Sequence, residues 1–167
     1  ASNFNGDDSF SFIVSDGELT DTATVSLTIE AVNDAPVLAT VSDVSFDEDT
    51  SGSTSLSGSD IDGDDLTYSI SGGSDITATL SGSDVSFSAP SNFNGSETFT
   101  VSVSDTDLTD SQSITVTVNA VNDAPVAAVD LSGNTNEDQS VVVNLSGTDI
   151  DGDNLTFSLD TDAVSGS

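Results

Sequence analysis

Apolar residues step by two along most of the chain, with Ser and Thr between them. Phe99, Val101 and Val103 alternate with Thr100 and Ser102, and Ile114, Val116 and Val118 alternate with Thr115 and Thr117. A period of two turns one face of an extended strand to a core and the other to water. Residues 37–121 predict seven short strands on this pattern. Strand A runs through Val41, Val44 and Phe46, B lies near Ser53–Ser59, and C carries Leu66, Tyr68 and Ile70. D carries Ile76, Ala78 and Leu80, and E carries Val85 and Phe87 after a Ser81-Gly82-Ser83-Asp84 turn; F and G are the two segments named first. Gly, Asn, Asp and Ser fill the intervals, as turns require, and no segment has a helical period. The pattern predicts an all-β fold, a seven-stranded antiparallel Greek-key sandwich of two sheets.

The same text recurs at an offset of 89 residues. Asn3-Phe4-Asn5-Gly6 returns as Asn92-Phe93-Asn94-Gly95, Asn33-Asp34-Ala35-Pro36 as Asn122-Asp123-Ala124-Pro125, and Asp60-Ile61-Asp62-Gly63-Asp64 as Asp149-Ile150-Asp151-Gly152-Asp153. A period this long marks tandem units of one design. Residues 1–33 carry the F and G strands of an upstream unit, 34–122 a complete unit, and 123–167 the A, B and C strands of a downstream one. The flanks read as a window on a longer array. The alternative is a filament subunit whose incomplete ends complement those of other copies.

Composition narrows the chemistry. The chain has 30 acidic residues and no Lys, Arg, His or Cys. No internal salt bridge can form, so every carboxylate must be hydrated, hydrogen-bonded to neutral groups or bound to an external cation. Nucleic-acid backbones require Lys or Arg and are excluded as partners, as are anionic membrane surfaces. No stretch is long and apolar enough for membrane insertion. Without Cys there is neither a disulfide framework nor a thiolate metal site. With no His, Cys or Lys, no familiar nucleophile–base pair can be assembled, and the chain is not expected to be an enzyme.

The linker Val32-Asn33-Asp34-Ala35-Pro36-Val37, the segment Asp60-Ile61-Asp62-Gly63-Asp64-Asp65-Leu66-Thr67-Tyr68-Ser69-Ile70 and the strand Phe99-Thr100-Val101-Ser102-Val103-Ser104-Asp105 together resemble bacterial cadherin-like tandem repeat domains of large surface and adhesin proteins. The resemblance covers the whole chain in repeat phase. It implies calcium at the junctions between units and an extracellular place, on the cell surface or secreted. The loop Asn92-Phe93-Asn94-Gly95-Ser96-Glu97 departs from the family, which places an acidic cluster there; only Glu97 is acidic.

Calcium takes six to eight oxygen ligands at flexible geometry. In a sandwich of this topology the B–C and F–G loops face the incoming linker, and the A–B region and E–F loop face the outgoing one. The first junction then gathers Asn33, Asp34, Asp60, Asp62 and Asp105, with Asp7 as a possible extra. The second gathers Asn122, Asp123, Asp149, Asp151 and Glu48, with Glu97 as a possible extra; Asp64 and Asp153 are left facing water. An EF-hand is disfavoured, because that loop needs Gly at position 6 and Glu at position 12, whereas here Gly is fourth. Magnesium suits many-carboxylate cages poorly. The competing account is an acidic turn that caps a strand and binds nothing, with Glu48-Asp49 a solubilising edge charge.

The expected function is a calcium-rigidified structural extender, its partners being neighbouring repeats of the same chain. The alternatives are the self-assembling filament, with other copies as partners, and a module binding carbohydrate or protein through its loops.

Overall fold

Val, Ile, Phe and Thr suit the pleated, half-buried surface of a sheet, and the chain uses them accordingly. The computed structural model describes residues 2–161, and among these there are strands and turns but no helix. β1 (Gly6–Ser15) and β2 (Thr20–Ile29) form an antiparallel hairpin. The middle of the chain holds β3 (Val37–Leu38), β4 (Val44–Asp47), β5 (Ser51–Ser55), β6 (Gly58–Ser59), β7 (Thr67–Gly72), β8 (Thr77–Ser81), β9 (Asp84–Ser88), β10 (Gly95–Ser104) and β11 (Thr109–Asn119). β12 (Val126–Ala127) and β13 (Gly147–Thr148) pair near the end.

One sheet has the order β4-β11-β10-β7, a second β5-β9-β8, and β3 pairs with β6. Neighbours are antiparallel except β4, which runs parallel to β11. The apolar faces of the two larger sheets meet over Val85, Phe87, Phe99, Val101, Val103, Ile114 and Val116, all buried. Phe87 and Phe99 join the sheets edge to face, with centroids 5.3 Å apart and planes at 69°, a favoured geometry for facing aromatic quadrupoles. The expected all-β, sandwich-like architecture is present.

Two expected strands are broken. The strand A expected through Val41, Val44 and Phe46 forms only from Val44 onward, as β4 on β11, while Val37–Leu38 ahead of it pair separately as β3 on β6. Side chains replace the missing ladder between them. Gln112 Oε1 accepts from the Val41 N–H (3.1 Å), while its Nε2 donates to the Leu38 and Ala39 carbonyls (3.1 Å each). Asp110 Oδ2 accepts from the Leu38 N–H (2.8 Å), and Asp43 Oδ1 from the Thr115 N–H (2.7 Å). Strand B likewise divides at buried Leu56 into β5, on β9, and β6, on β3. Apolar alternation does not register where a strand changes partner.

The flanks differ from the middle in burial. Phe10, Phe12, Val14, Leu27 and Ile29 of the β1–β2 hairpin are exposed, whereas their repeat equivalents Phe99, Val101, Val103, Val116 and Val118 are buried. The strand expected through Leu155, Phe157 and Leu159 is not formed. Its counterpart β7 is hydrogen-bonded to β10, and among the described residues no such strand lies beside 155–159. Residues 162–167 of the expected downstream unit lie outside those described.

Glu97 on β10 fixes the β7–β8 turn. Its carboxylate accepts from the N–H groups of Ser74 (2.9 Å), Asp75 (3.1 Å) and Ile76 (3.0 Å) and from the Ser74 hydroxyl (2.7 Å). These donors, the Asp75 N–H foremost, lower its pKa to about 2. The sequence offers Glu97 as an extra ligand of the second junction, but its oxygens are committed to this turn.

Phe99→Ala should lower the unfolding free energy of the middle unit by about 3–5 kcal/mol in chemical denaturation, whereas Phe10→Ala, at the equivalent exposed position, should change stability by no more than about 0.5 kcal/mol. The Glu97 contribution has a defined pH window. Its folded pKa lies below its ordinary 4.5, so its stabilisation is complete above that value and is lost as pH falls through about 2. Subtracting the stability–pH curve of Glu97→Gln from that of the wild type should isolate a step in this window; a flat difference would remove the turn-fixing role.

Candidate metal centre

The loop between β6 and β7 folds around one carboxylate. Asp60 Oδ1 accepts from the Asp62 N–H (2.8 Å) and the Gly63 N–H (3.1 Å). Gly63 holds φ at +83°, a left-handed conformation that glycine adopts without a Cβ clash. The turn brings carboxylate oxygens of Asp60, Asp62 and Asp64 within 4.8 Å of one another. Asp60 Oδ2 is buried with no hydrogen-bond partner. Asp64, left to solvent in the sequence reading, joins this triad. Desolvation first, then the charges of Asp60, Asp62, Asp105 and Asp107, raise its pKa.

The first linker is tied to this loop. The Asp34 N–H donates to Asp62 Oδ2 (2.7 Å), and Asn33 Nδ2 donates to Asp105 Oδ2 (2.9 Å). Asp105 is buried, and its Oδ1 accepts from the Asp107 (2.8 Å) and Leu108 (2.7 Å) N–H groups. The Leu108 N–H, followed by the Asn33 amide, lowers its pKa. Asn33, Asp34, Asp60, Asp62 and Asp105 therefore form one connected group. Asp7 instead lies on β1 and accepts from the Thr28 hydroxyl across the hairpin (2.9 Å). The upstream residue that reaches the linker is Asn3, whose Nδ2 donates to Asp34 Oδ2 (2.8 Å).

The loop recurs at the second linker, which the turn after β4 reaches through Glu48. Asp149 Oδ1 accepts from the Asp151 (3.1 Å) and Asp153 (3.2 Å) N–H groups, and Asp151 Oδ2 accepts from the Asp123 N–H (2.7 Å). Glu48 is only 4% exposed. Its Oε1 accepts from the Val121 N–H (2.6 Å), while its Oε2 is buried and unpartnered. Asp49 Oδ1 accepts from the Asn92 N–H (3.2 Å). Desolvation, then the charges of Asp151, Asp49, Glu48 and Asp149, raise the Asp123 pKa. Asn122 differs from Asn33: its amide turns back to the Asp123 carbonyl (3.0 Å) and meets no carboxylate.

Sequence reasoning missed Asn3, Asn92, Asp49 and Asp64 as members of these clusters. The repeat was the available signal, since Asn3 returns as Asn92, but only the fold shows that this loop residue reaches the linker carboxylate. Chemically, both junctions are oxygen-only, anionic and free of cationic side chains. Such a donor set fits a hard divalent cation. The unpartnered Glu48 Oε2 and Asp60 Oδ2 are the atoms that such an ion would satisfy, because a buried carboxylate oxygen without a donor is costly.

A family model described as a bacterial Ig domain matches residues 33–117. Among solved structures, the chain is similar to an endo-fucoidan hydrolase of glycoside hydrolase family 107 (25% identity, 70% of this chain, 19% of that one, TM-score 0.39). It is also similar to human protocadherin-24 EC1-2 (22% identity, 70% of this chain, 62% of that one, TM-score 0.46). The chain thus spans less than two thirds of either. No curated protein matches. The alternating strands, the two facing sheets and the match over residues 33–117, half of the chain, place it in the bacterial Ig domain family.

Proposed function

We propose that the chain is a structural extender of a large extracellular bacterial surface or adhesin protein, made rigid by calcium at the joints between sandwich units. One observation carries the reading. Two carboxylate oxygens, Glu48 Oε2 and Asp60 Oδ2, are buried without a donor among other carboxylates, in a chain with no cationic side chain.

In this reading β3 with β4 and β5 with β6 are the broken A and B strands of a seven-stranded Greek-key sandwich. The unit boundaries are those of the repeat: 1–33, 34–122 and 123–167. The chain's own residues prepare each joint. Asn33 and Asp34 are hydrogen-bonded to Asp105 and Asp62, which fixes the linker against the unit that follows. Glu48 holds the Val121 N–H, which fixes the next linker against the unit that precedes it. Bound calcium would supply the positive charge that these carboxylates otherwise lack. Asn33, Asp34, Asp60, Asp62 and Asp105 would hold it at the first junction, and Glu48, Asp49, Asp123, Asp149 and Asp151 at the second.

Affinity is expected in the range of extracellular modules, about 0.1–1 mM. Oxygen-only donors and irregular spacing favour calcium over octahedral magnesium. Among the described residues no helix is long and apolar enough to cross a membrane. No catalytic role is assigned. The partners are neighbouring repeats of the same chain.

Calcium should lengthen and stiffen the chain in small-angle scattering and slow proteolysis at residues 31–36 and 120–125. Asp60→Asn with Asp62→Asn should weaken the first junction's calcium affinity by more than about tenfold and leave protection of the second linker intact. Acidification to about pH 4, near the ordinary carboxylate pKa, should release the ions as a chelator does. Linkers cut equally fast with and without calcium would overturn the reading.

A further inference from the structure

Left-handed backbone recurs at repeat-equivalent positions in two loops. Asn3 (φ 61°) and Asn92 (φ 56°) form one pair, and Asp49 (φ 59°) and Asp138 (φ 61°) the other. Asn and Asp tolerate this region better than most residues, and strained positions concentrate where function holds them. The loop carrying Asn92 is anchored from both sides. The Phe93 N–H donates to the Pro90 carbonyl (3.2 Å), the Phe93 ring packs on the core, and the Asn92 N–H donates to Asp49 Oδ1 (3.2 Å). The side chain is thereby directed at the second linker.

One end of the Asn92 amide group stands 3.1 Å from Asp123 Oδ2 and 3.2 Å from Asp49 Oδ2. An amide offers a donor face and an acceptor face of nearly equal size, exchanged by a half-turn of the group. With Nδ2 toward the carboxylates it donates two hydrogen bonds. With Oδ1 toward them it adds a third oxygen beside Asp49 Oδ2 and Asp123 Oδ2; the unpartnered Glu48 Oε2 belongs to the residue next to Asp49 in the chain. At the first junction Asn3 meets the equivalent linker carboxylate through Nδ2, 2.8 Å from Asp34 Oδ2. A charged residue could serve only one of these states. Asp would repel Asp49 and Asp123 in the absence of a cation, and Lys would exclude the cation.

We propose that Asn92 is a two-state latch of the second junction. Without a divalent cation its Nδ2 bridges Asp49 and Asp123; with one, the amide turns and Oδ1 becomes a ligand beside Glu48, Asp49 and Asp123. Asn3 does the same toward Asp34 at the first junction. This rests on the calcium-joint reading. It adds that the joint is held in both states and that the switch between them is the orientation of a neutral amide.

The test uses the full chain with two substitutions. Asn92→Gly deletes the side chain while accepting the left-handed φ, and Asn92→Asp keeps ligand oxygens but cannot donate. Cleavage of the 120–125 linker by elastase is timed with calcium and with chelator. In chelator both variants should be cut roughly tenfold faster than the wild type, the scale of one hydrogen bond to a charged group. In calcium Asn92→Asp should regain wild-type resistance and Asn92→Gly should not. The Asn92 side-chain NH2 resonances should move, and their hydrogen-exchange protection should fall, when calcium is added to the wild type. Wild-type cutting rates for both variants in chelator would overturn the bridging state. Equal sensitivity of the two variants in calcium, or unmoved NH2 resonances, would overturn the ligand state. If calcium leaves even the wild-type linker unprotected, the joint reading has failed, and the latch's second state fails with it.

Discussion

The constraint on which this structure depends is charge without counter-charge. Thirty acidic residues share a chain that has no Lys, Arg or His, so no carboxylate can be neutralised by a neighbouring side chain. Self-repulsion of this kind works against a compact state. The main internal compensation is the backbone N–H. Asp16 and Asp105, one repeat apart, each accept two such bonds inside an equivalent hairpin turn, at 2.7–2.9 Å. Both have lowered pKa values for that reason. Glu97 collects three backbone bonds and a hydroxyl. Where donors run short, at Asp64 and Asp123, desolvation and like charge push the pKa upward. The two environments separate acids whose charge is met by hydrogen-bond donors from acids whose charge is not.

The same constraint shapes the outer faces of the sheets. On β7 the outward positions are Thr67, Ser69 and Ser71, and on β10 they are Ser96, Thr98, Thr100, Ser102 and Ser104. On β11 they run through Thr109, Ser111, Ser113, Thr115 and Thr117. Register pairs them hydroxyl to hydroxyl, as in Ser102 with Ser69 and Ser111, and Ser96 and Thr117 are in hydrogen-bond contact at 2.9 Å. Thr has β propensity but Ser does not, so propensity alone does not account for the pattern. In a chain that uses only negative charge, a charged outer face would set like charges opposite one another, which destabilises a sheet. Hydroxyls keep the face wet and neutral.

What can be read in the sequence follows from what is periodic. Alternation locates β9, β10 and β11 because three successive inward positions of β10 and of β11, and both apolar residues of β9, face the core, and the 89-residue repeat locates the acidic loops. Strand breaks are not legible, because Gln112 and Asp110 stabilise the A segment through side-chain bonds that leave no periodic trace. Glu97 is ambiguous in sequence because an acid near a junction looks the same whether it faces a linker or a turn. The direction of Asp64 cannot be read either. It follows the Gly63 bend, and only the curl of the loop around Asp60 turns it back toward Asp62. Asn92 escapes notice because a neutral amide carries no charge signal; its left-handed φ and its distance to Asp123 reveal it.

A stiff linker needs contacts that offset the cost of ordering it, roughly 1–2 kcal/mol of backbone entropy per residue. The first linker meets that condition unaided. Pro36 has a fixed φ and is fully buried, and the two residues ahead of Ala35 are hydrogen-bonded to two loops, those after β10 and β6. Asn3, ahead of β1, reaches the same Asp34. The peptide is therefore placed by neutral donors, while the carboxylates brought together by that placement remain uncompensated. The contacts that order the linker thus also gather carboxylates: each of these hydrogen bonds holds anionic oxygens closer than they would stand in a free chain.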